Sequence, residues 1–308
     1  MAKLIFELSG PRVGSTAFRY ALRGFSRIEA LGELLNPRSF EPYGWEEAFT
    51  AQARKAGHDI EDGIQAMRAF CVANPLEAVE IGLRTFDGLG AEYGVLKLAP
   101  GHLGAPLTDA LLRRFRPAGI VLRRNPADQY ISREKALSLR AWRGVDTTDI
   151  KPELEVGAFR AFRRRQQNHY QMGCFLMRRH GLPYRVLDYQ ELIDARTPLR
   201  QRLPDLFASL GMELGAYDDA SEQMRKQDKS TARADKVQNW DAFQDALRTQ
   251  NALHELDMMN LDGATAVLRA QLLGEGLLPR STLRRLATRV GMSGMPTRRN
   301  RSASGSAP

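Results

Sequence analysis

The chain has 308 residues, enough for one large α/β domain or two modest ones with a sizeable core. Apolar residues make up 43% and charged residues 26%, which excludes fibrous, collagenous and wholly disordered classes. The two cysteines, Cys71 and Cys174, are far apart and form no CxxC pair, which argues against a disulfide framework and a cysteine zinc site. A reducing, cytoplasmic location is therefore expected.

The formal charge of +9 is concentrated at the C-terminal end. Residues 280–308 hold seven arginines and no acid, whereas residues 1–279 hold 38 basic and 36 acidic residues. We predict a folded domain at 1–279 and a basic tail at 280–308, disordered beyond about Gly291 and suited at most to weak contact with an anionic surface. No zinc-finger, RNP or basic-zipper pattern predicts a specific nucleic-acid partner, and no run of 18 apolar residues predicts a membrane span.

Short β-favouring runs alternate with helical patterns along the chain. Strands are predicted at Lys3–Leu8, Tyr93–Leu98, Gly119–Arg123 and Tyr184–Leu187. Helices are predicted from Ser15 to Phe25, as about three segments between Pro42 and Leu89, from Pro106, from Pro126, from Pro152 to His180, near Glu191, from Pro198 to Leu210 and from Trp240. This order predicts an α/β fold with a short parallel sheet of four or five strands and helices on both faces.

The first predicted strand leads into a helix through the loop Ser9-Gly10-Pro11-Arg12-Val13-Gly14-Ser15-Thr16. Backbone N–H groups and the helix dipole at such a junction favour a bound anion, so this loop is a candidate phosphate loop. It lacks the GK[ST] lysine of ATPases and GTPases, and no apolar strand, as predicted here from the sequence, ends in the aspartate that would hold magnesium. The alternative is a plain glycine turn that Ser15 caps.

A second candidate element, Arg124-Asn125-Pro126-Ala127-Asp128-Gln129-Tyr130-Ile131-Ser132, follows the predicted strand Gly119–Arg123. A guanidinium fork and a hydroxyl group one or two turns into a helix can converge on one phosphate. The alternative is a strand-end arginine and a helix serine with no ligand. If one nucleotide contacts both elements, their loops lie side by side at the carboxyl edge of the sheet.

Together, PRVGST at 11–16 and RNPADQYIS at 124–132 resemble the sulfotransferases that use 3′-phosphoadenosine 5′-phosphosulfate (PAPS). The resemblance implies a P-loop-like three-layer sandwich and transfer of the sulfuryl group of PAPS, without a metal, to a hydroxyl of a glycan, a glycolipid or a small polar metabolite. It implies that the 5′-phosphosulfate is bound by Arg12, Val13, Gly14, Ser15 and Thr16. It also implies that Arg124 and Ser132 bind the 3′-phosphate.

Further segments extend the resemblance over most of residues 3–250. They are YGVLKLAPGHL at 93–103, YRVLDYQELI at 184–193 and KQDKSTARADKVQNWDAF at 226–243. The last resembles a basic loop that closes over the nucleotide in bacterial and glycan-type members, which implies that Lys229 binds the cofactor. The RKGxxGDW loop of the steroid and phenol enzymes is absent, and Arg12 stands where those enzymes have lysine.

The segment Leu31–Pro37 follows the first helix, where glycan-type sulfotransferases place a glutamate near the transferring group. The resemblance implies that Glu33 is the general base, with Glu41 a weaker candidate and a solvated loop carboxylate the alternative. Arg12 is expected to stabilise the transition state and to keep Glu33 ionised. His102 could also reach the ligand-binding edge of the sheet. Lys97 is either a phosphosulfate ligand or a strand residue that faces solvent.

Residues 36–92 and 140–155 are expected to shape the acceptor pocket, with Tyr43, Trp45 and Trp142 among its candidates. Two other functions remain open from the sequence. A metal-dependent P-loop kinase or NTPase would use the same fold, but the missing lysine and aspartate argue against it. A nucleic-acid-binding protein would rest on the charge alone, and that charge is in the predicted tail.

Overall fold

The computed structural model of the chain describes residues 1–38, 44–142, 144–193, 197–218, 228, 230–262 and 274. The domain boundary predicted at residue 279 and the tail predicted at 280–308 lie outside these ranges. Within them, no helix is both long and apolar enough to cross a membrane.

In the part of the chain that the structure describes, five parallel strands form one sheet. They are β1 Lys3–Ser9, β2 Ile28–Gly32, β3 Tyr93–Leu98, β4 Ala118–Arg123 and β5 Tyr184–Asp188, in the order β2-β3-β1-β4-β5. The apolar run β1 is central and pairs with β3 from Lys3 against Tyr93 to Leu8 against Leu98, and with β4 on its other side. The predicted parallel α/β sheet is confirmed.

β2 is the strand that the sequence analysis missed. Its sequence, IEALG, is short and contains alanine, glycine and an exposed glutamate, which are poor strand formers. It lies at the edge of the sheet beside β3, with a register shift between Ala30 and Gly32. Pairing with β3, rather than local propensity, therefore makes it a strand, and it delivers Glu33 to the carboxyl edge.

Helices cover the connections between the strands, with bounds close to those predicted. They are α1 Ser15–Arg23, α2 Glu46–Lys55, α3 Ile64–Ala73, α4 Pro75–Gly88, α5 Ala105–Phe115, α6 Pro126–Leu139, α7 Val156–Arg179, α8 Tyr189–Ile193, α9 Leu199–Ala208 and α10 Trp240–Thr249. Short 3₁₀ turns follow at Ala234–Lys236 and Leu253–Leu256. α7 begins at Val156 rather than Pro152 because the carboxylate of Glu155 caps it, accepting from the N–H groups of Gly157 and Ala158.

Both faces of the sheet are covered, which gives the predicted three layers. On one face, Phe18 of α1 and Phe207 of α9 belong to a buried cluster with β-strand residues such as Ile120. On the other face, α7 comes so close to β4 that a Cβ on Gly119 would lie 2.5 Å from the sulfur of Met177. A separate apolar cluster joins α6, α7 and α10. It packs residues 237–256 against α6 and α7.

Candidate active site

The loop between β1 and α1 is built to expose helix N–H groups. Arg12 and Gly14 have φ angles of 63° and 86°, so the backbone turns through left-handed conformations there. Gly14 is the N-cap of α1 and gives it no side-chain hydrogen bond, whereas Asn125 and Glu155 cap α6 and α7. Ser15 is thus the first residue of α1 and not its cap. The first turn of α1 therefore keeps backbone N–H groups that can donate hydrogen bonds to an anion.

The first half of this loop is fixed by side chains from α6 and α7. The backbone N–H of Gly10 donates to the hydroxyl of Tyr170 at 3.0 Å, and that hydroxyl donates to the carbonyl of Leu122 at 2.8 Å. The side-chain amide of Gln129 donates to the carbonyl of Pro11 at 2.7 Å. Because Tyr170 is fully buried, it ties the loop to the end of β4 through a contact that excludes water.

The second predicted element lies against this loop. The NH1 group of Arg124 donates to the carbonyl of Arg12 at 2.8 Å, and the Nε of Arg12 donates to the hydroxyl of Ser132 at 3.0 Å. The guanidinium of Arg124 lies over the ring of Tyr189, 4.0 Å from its centroid, and its buried Nε has no hydrogen-bond partner among the described residues. The two loops are side by side at the carboxyl edge, as predicted.

Arg12 lies on the border between the two elements. Besides Ser132, its guanidinium donates to the carbonyl of Trp142. Burial and the nearby charge of Arg124 both lower the pKa of Arg12. Two guanidinium groups so close repel each other, and a bound anion would relieve that repulsion.

Glu33 lies beside Lys97 at the same edge of the sheet. Its Oε1 accepts from the Nζ of Lys97 at 2.6 Å, and its Oε2 accepts from the side-chain amide of Asn36 at 2.7 Å. Burial alone would raise the pKa of Glu33, but the charge and hydrogen bond of Lys97 outweigh it and lower the pKa to about 2. The structure thus corrects the expectation that Arg12 keeps Glu33 ionised, because Lys97 does so. It also excludes two of the alternatives, since Lys97 is buried rather than facing solvent and Glu33 is held in an ion pair rather than being a solvated loop carboxylate.

His102 lies next to this pair. Its Nδ1 accepts from the N–H of Ala99 at 3.3 Å, and its Nε2 is 3.7 Å from the Oε2 of Glu33. Burial lowers the pKa of His102 to about 4, so the ring is neutral at pH 7. With Nδ1 accepting, the proton is on Nε2 and faces Glu33. In this arrangement Glu33 is better placed than His102 to accept a proton.

Glu7 is a residue of this region that the sequence analysis missed. It is fully buried on β1, opposite Lys97 in the strand register, and accepts from the hydroxyl of Ser9 at 2.7 Å. Burial raises the pKa of Glu7, against the opposing charge of Lys97. A glutamate inside the apolar run KLIFELS was the signal that could have revealed it. Lys97 therefore lies between two carboxyl groups, that of Glu7 on β1 and that of Glu33 after β2.

The remaining predicted site residues divide into three groups. Trp45 is a core residue, because it is 4% exposed, donates to the carbonyl of Ala30 and packs against Phe86. Trp142 is 46% exposed and lies at the rim of the site through its contact with Arg12. Tyr43, Glu41 and Lys229 lie outside the described residues. Among the residues that are described, no group of three His, Cys, Asp or Glu side chains could hold a metal ion.

Comparison with known proteins finds remote structural likeness. No family model and no curated protein matches the chain. The crystal structure of sulfotransferase STF9 from Mycobacterium avium is similar over 85% of this chain and 78% of that chain, with 13% sequence identity and a TM-score of 0.41.

Proposed function

We propose that the protein is a sulfotransferase that moves the sulfuryl group of PAPS to a hydroxyl of a glycan, a glycolipid or a small polar metabolite and releases 3′,5′-adenosine bisphosphate (PAP). One observation carries the proposal. The uncapped start of α1 and the Arg124–Ser132 element meet at one edge of the sheet, joined through Arg12. PAPS carries one anionic group on each side of its ribose, so a single nucleotide of this kind can engage both elements.

The two elements divide the nucleotide between them. The N–H groups at the start of α1, with the hydroxyls of Ser15 and Thr16, would hold the 5′-phosphosulfate. Arg124 and Ser132 would hold the 3′-phosphate, since a guanidinium and a hydroxyl both donate to phosphate oxygens. Arg12 lies between these halves and is assigned to the charge that develops on the leaving phosphate.

The transfer step uses Glu33 and Arg12. The acceptor oxygen forms a bond to sulfur while the bond from sulfur to the 5′-phosphate oxygen breaks, and its electron pair leaves with PAP. Glu33 takes the proton that the acceptor hydroxyl loses. By analogy with phosphoryl transfer the transition state is loose, so positioning and cationic stabilisation supply most of the acceleration.

The test is calorimetry with PAP, with AMP, which lacks the 3′-phosphate, and with ATP plus magnesium. The wild-type protein should prefer PAP over both. Arg124→Ala should lose about 1.5–3 kcal/mol of PAP affinity, and Ser132→Ala less, because a charged donor to phosphate contributes more than a neutral one. AMP affinity should change little in either variant.

Matched controls separate these effects from general damage. Ser138→Ala removes an exposed hydroxyl from the same helix, and Arg113→Ala removes an exposed guanidinium from α5. Both should bind PAP like the wild-type protein. Unchanged PAP affinity in Arg124→Ala, or a preference for ATP plus magnesium, would end the proposal.

A further inference from the structure

The chain returns to α6 near its C-terminal end, in a segment that we call the C-terminal strap: Asp228 and residues 230–236. Two ion pairs fix it to α6. Arg233 binds both carboxylate oxygens of Asp128, with Nε to Oδ1 at 2.8 Å and NH2 to Oδ2 at 3.2 Å. The Nζ of Lys135 lies 2.9 Å from Oδ2 of Asp228. The strap is therefore attached to α6 at two points.

These attachment points lie on either side of Ser132. Asp128, Ser132 and Lys135 follow one another at helical spacings of four and three residues, so they share one face of α6. The two attachment points of the strap therefore lie about one helical turn before and one helical turn after Ser132 on this face. They flank the residue assigned to the 3′-phosphate.

Lys135 has a position that stability alone does not explain. Its side chain is 1% exposed, and its ammonium also donates to the carbonyl of Thr147 at 3.0 Å. Removing an ammonium from water is costly, and an apolar side chain of similar size is often at least as stabilising in such a place. The ammonium instead fixes relative position, because it connects α6 to Asp228 of the strap and to the carbonyl of Thr147 at one point.

Asp128 lies among cations at the start of the same helix. Its pKa would rise through burial, but hydrogen bonding and charge from Arg233, together with the charges of Arg124 and Lys236, lower it. The carboxylate is thus a fixed anion around which Arg233 and the strap are arranged. It lies on the same helix face as Ser132, and it is close enough to Arg124 for that charge to lower its pKa.

We propose that Asp128 and Lys135 are positioning residues that hold the C-terminal strap across the Ser132 face of α6 and thereby set affinity for the 3′-phosphate of the donor. This inference rests on the proposed function. Neither residue needs to touch the nucleotide. The contribution of the strap depends on where it is held, so breaking either attachment should weaken recognition of the 3′-phosphate selectively.

The experiment measures PAP and AMP affinity by calorimetry in the full-length protein. Asp128→Asn removes one charge with little change of shape, and Lys135→Met replaces the buried ammonium with an apolar side chain of similar length. Each should weaken PAP binding about tenfold, the effect of one charge-assisted hydrogen bond, and leave AMP binding within twofold. Lys135→Arg keeps the charge and should recover most of the PAP affinity, and Ser138→Ala is the control on the same helix.

The ratio of PAP to AMP affinity separates positioning from a merely structural role. A purely structural contact would lower the melting temperature and leave that ratio unchanged, which would overturn the inference. A wild-type protein that does not distinguish PAP from AMP would instead overturn the proposed function. If Lys135→Met does not fold, Asp128→Asn decides alone, and an unchanged ratio in that variant is sufficient to reject the proposal.

Discussion

Glu33 shows how neighbouring residues determine the role of one carboxyl group. Lys97 lowers its pKa to about 2, so it is ionised over the whole physiological range, but so low a pKa also makes it a weak base in the free protein. The donor is itself an anion that would enter beside Arg12 and compete for nearby positive charge. We expect Lys97 to bind Glu33 less strongly once PAPS is present. The pKa of Glu33 then rises, which makes it a stronger base for the proton of the acceptor hydroxyl.

The substitution Glu33→Gln tests this assignment. It removes the base while nearly preserving shape, so kcat should fall by about 10² to 10⁴. PAP affinity should stay within about twofold, because Glu33 follows β2 and Arg124 follows β4, and two strands of the sheet lie between β2 and β4. The measurement is the rate of PAP release with an acceptor that the wild-type protein uses.

Two further variants identify the base. Glu29→Gln changes an exposed carboxylate of the same edge strand and should turn over normally. His102→Gln should reduce kcat less than Glu33→Gln, because the His102 proton faces Glu33 and the ring is not placed to accept another there. Normal turnover in Glu33→Gln together with loss of activity in His102→Gln would assign the proton transfer to the histidine.

At the scale of elements, the sequence predicted what local pattern determines. β1, its glycine loop and α1 follow one another within the first 23 residues, and strand, turn and helix signals are each explicit there. The same holds for β4 and α6 with Arg124 and Ser132. Adjacency of the two loops then follows from the parallel sheet, because parallel strands place their carboxyl ends at one edge.

The sequence did not predict features that depend on pairing between distant segments. β2 has weak strand propensity and forms against β3, so only the assembled sheet reveals that Glu33 meets Lys97. The sequence also left open whether Lys97 faces solvent, and the structure excludes this because both faces of the sheet are covered. The contact between Tyr170 and Gly10 could not be predicted either, since the two residues are more than a hundred positions apart in the chain.

Tyr170→Phe tests how the two loops are joined. The change removes one hydroxyl but leaves the N–H of Gly10 and the carbonyl of Leu122 without that partner in a buried place. The free energy of unfolding should fall by about 1–3 kcal/mol, and PAP affinity should fall with it because the loop loses its attachment to β4. Chemical denaturation and calorimetry measure the two effects.

A matched hydroxyl gives the comparison. Tyr184→Phe removes a hydroxyl whose partner is the exposed side chain of Arg178, so it should cost little stability and no PAP affinity. If Tyr170→Phe loses stability but keeps full PAP affinity, the loop holds its shape without the tyrosine.

At the scale of the whole molecule, the net charge gives little indication of where charge acts. The excess of +9 belongs largely to residues 280–308, whereas the candidate active site contains buried charges of both signs. Glu7, Lys97 and Glu33 are neighbours in the candidate active site, and Asp128 and Lys135 are two turns apart on α6. Folding must therefore fix several protonation states at once, which makes stability depend on pH.

The direction of that dependence follows from the shifted pKa values. Burial lowers the pKa of His169 to about 3 and that of His102 to about 4, so the unfolded chain binds protons below about pH 6.5 that the folded chain does not. These two histidines leave the free energy of unfolding unchanged above about pH 6.5. They lower it progressively as pH falls from 6.5 toward their folded pKa values. Glu33, with its lowered pKa, adds to the loss below about pH 4.5, whereas Glu7, with its raised pKa, opposes it.

We therefore predict that the free energy of unfolding falls from pH 7 to pH 5 and that His169→Gln reduces the slope. The substitution keeps a donor for the carbonyl of Leu98, which accepts from the histidine at 3.1 Å, but removes the titrating ring. Below pH 6 the wild-type protein should lose up to about 1.4 kcal/mol per pH unit more than the variant, the value for one proton. Urea denaturation at a series of pH values measures this difference, and His254→Gln, at an exposed histidine, is the control. Parallel stability curves for His169→Gln and the wild-type protein would mean that His169 already takes up a proton in the folded state near neutral pH, against the burial that the structure gives it.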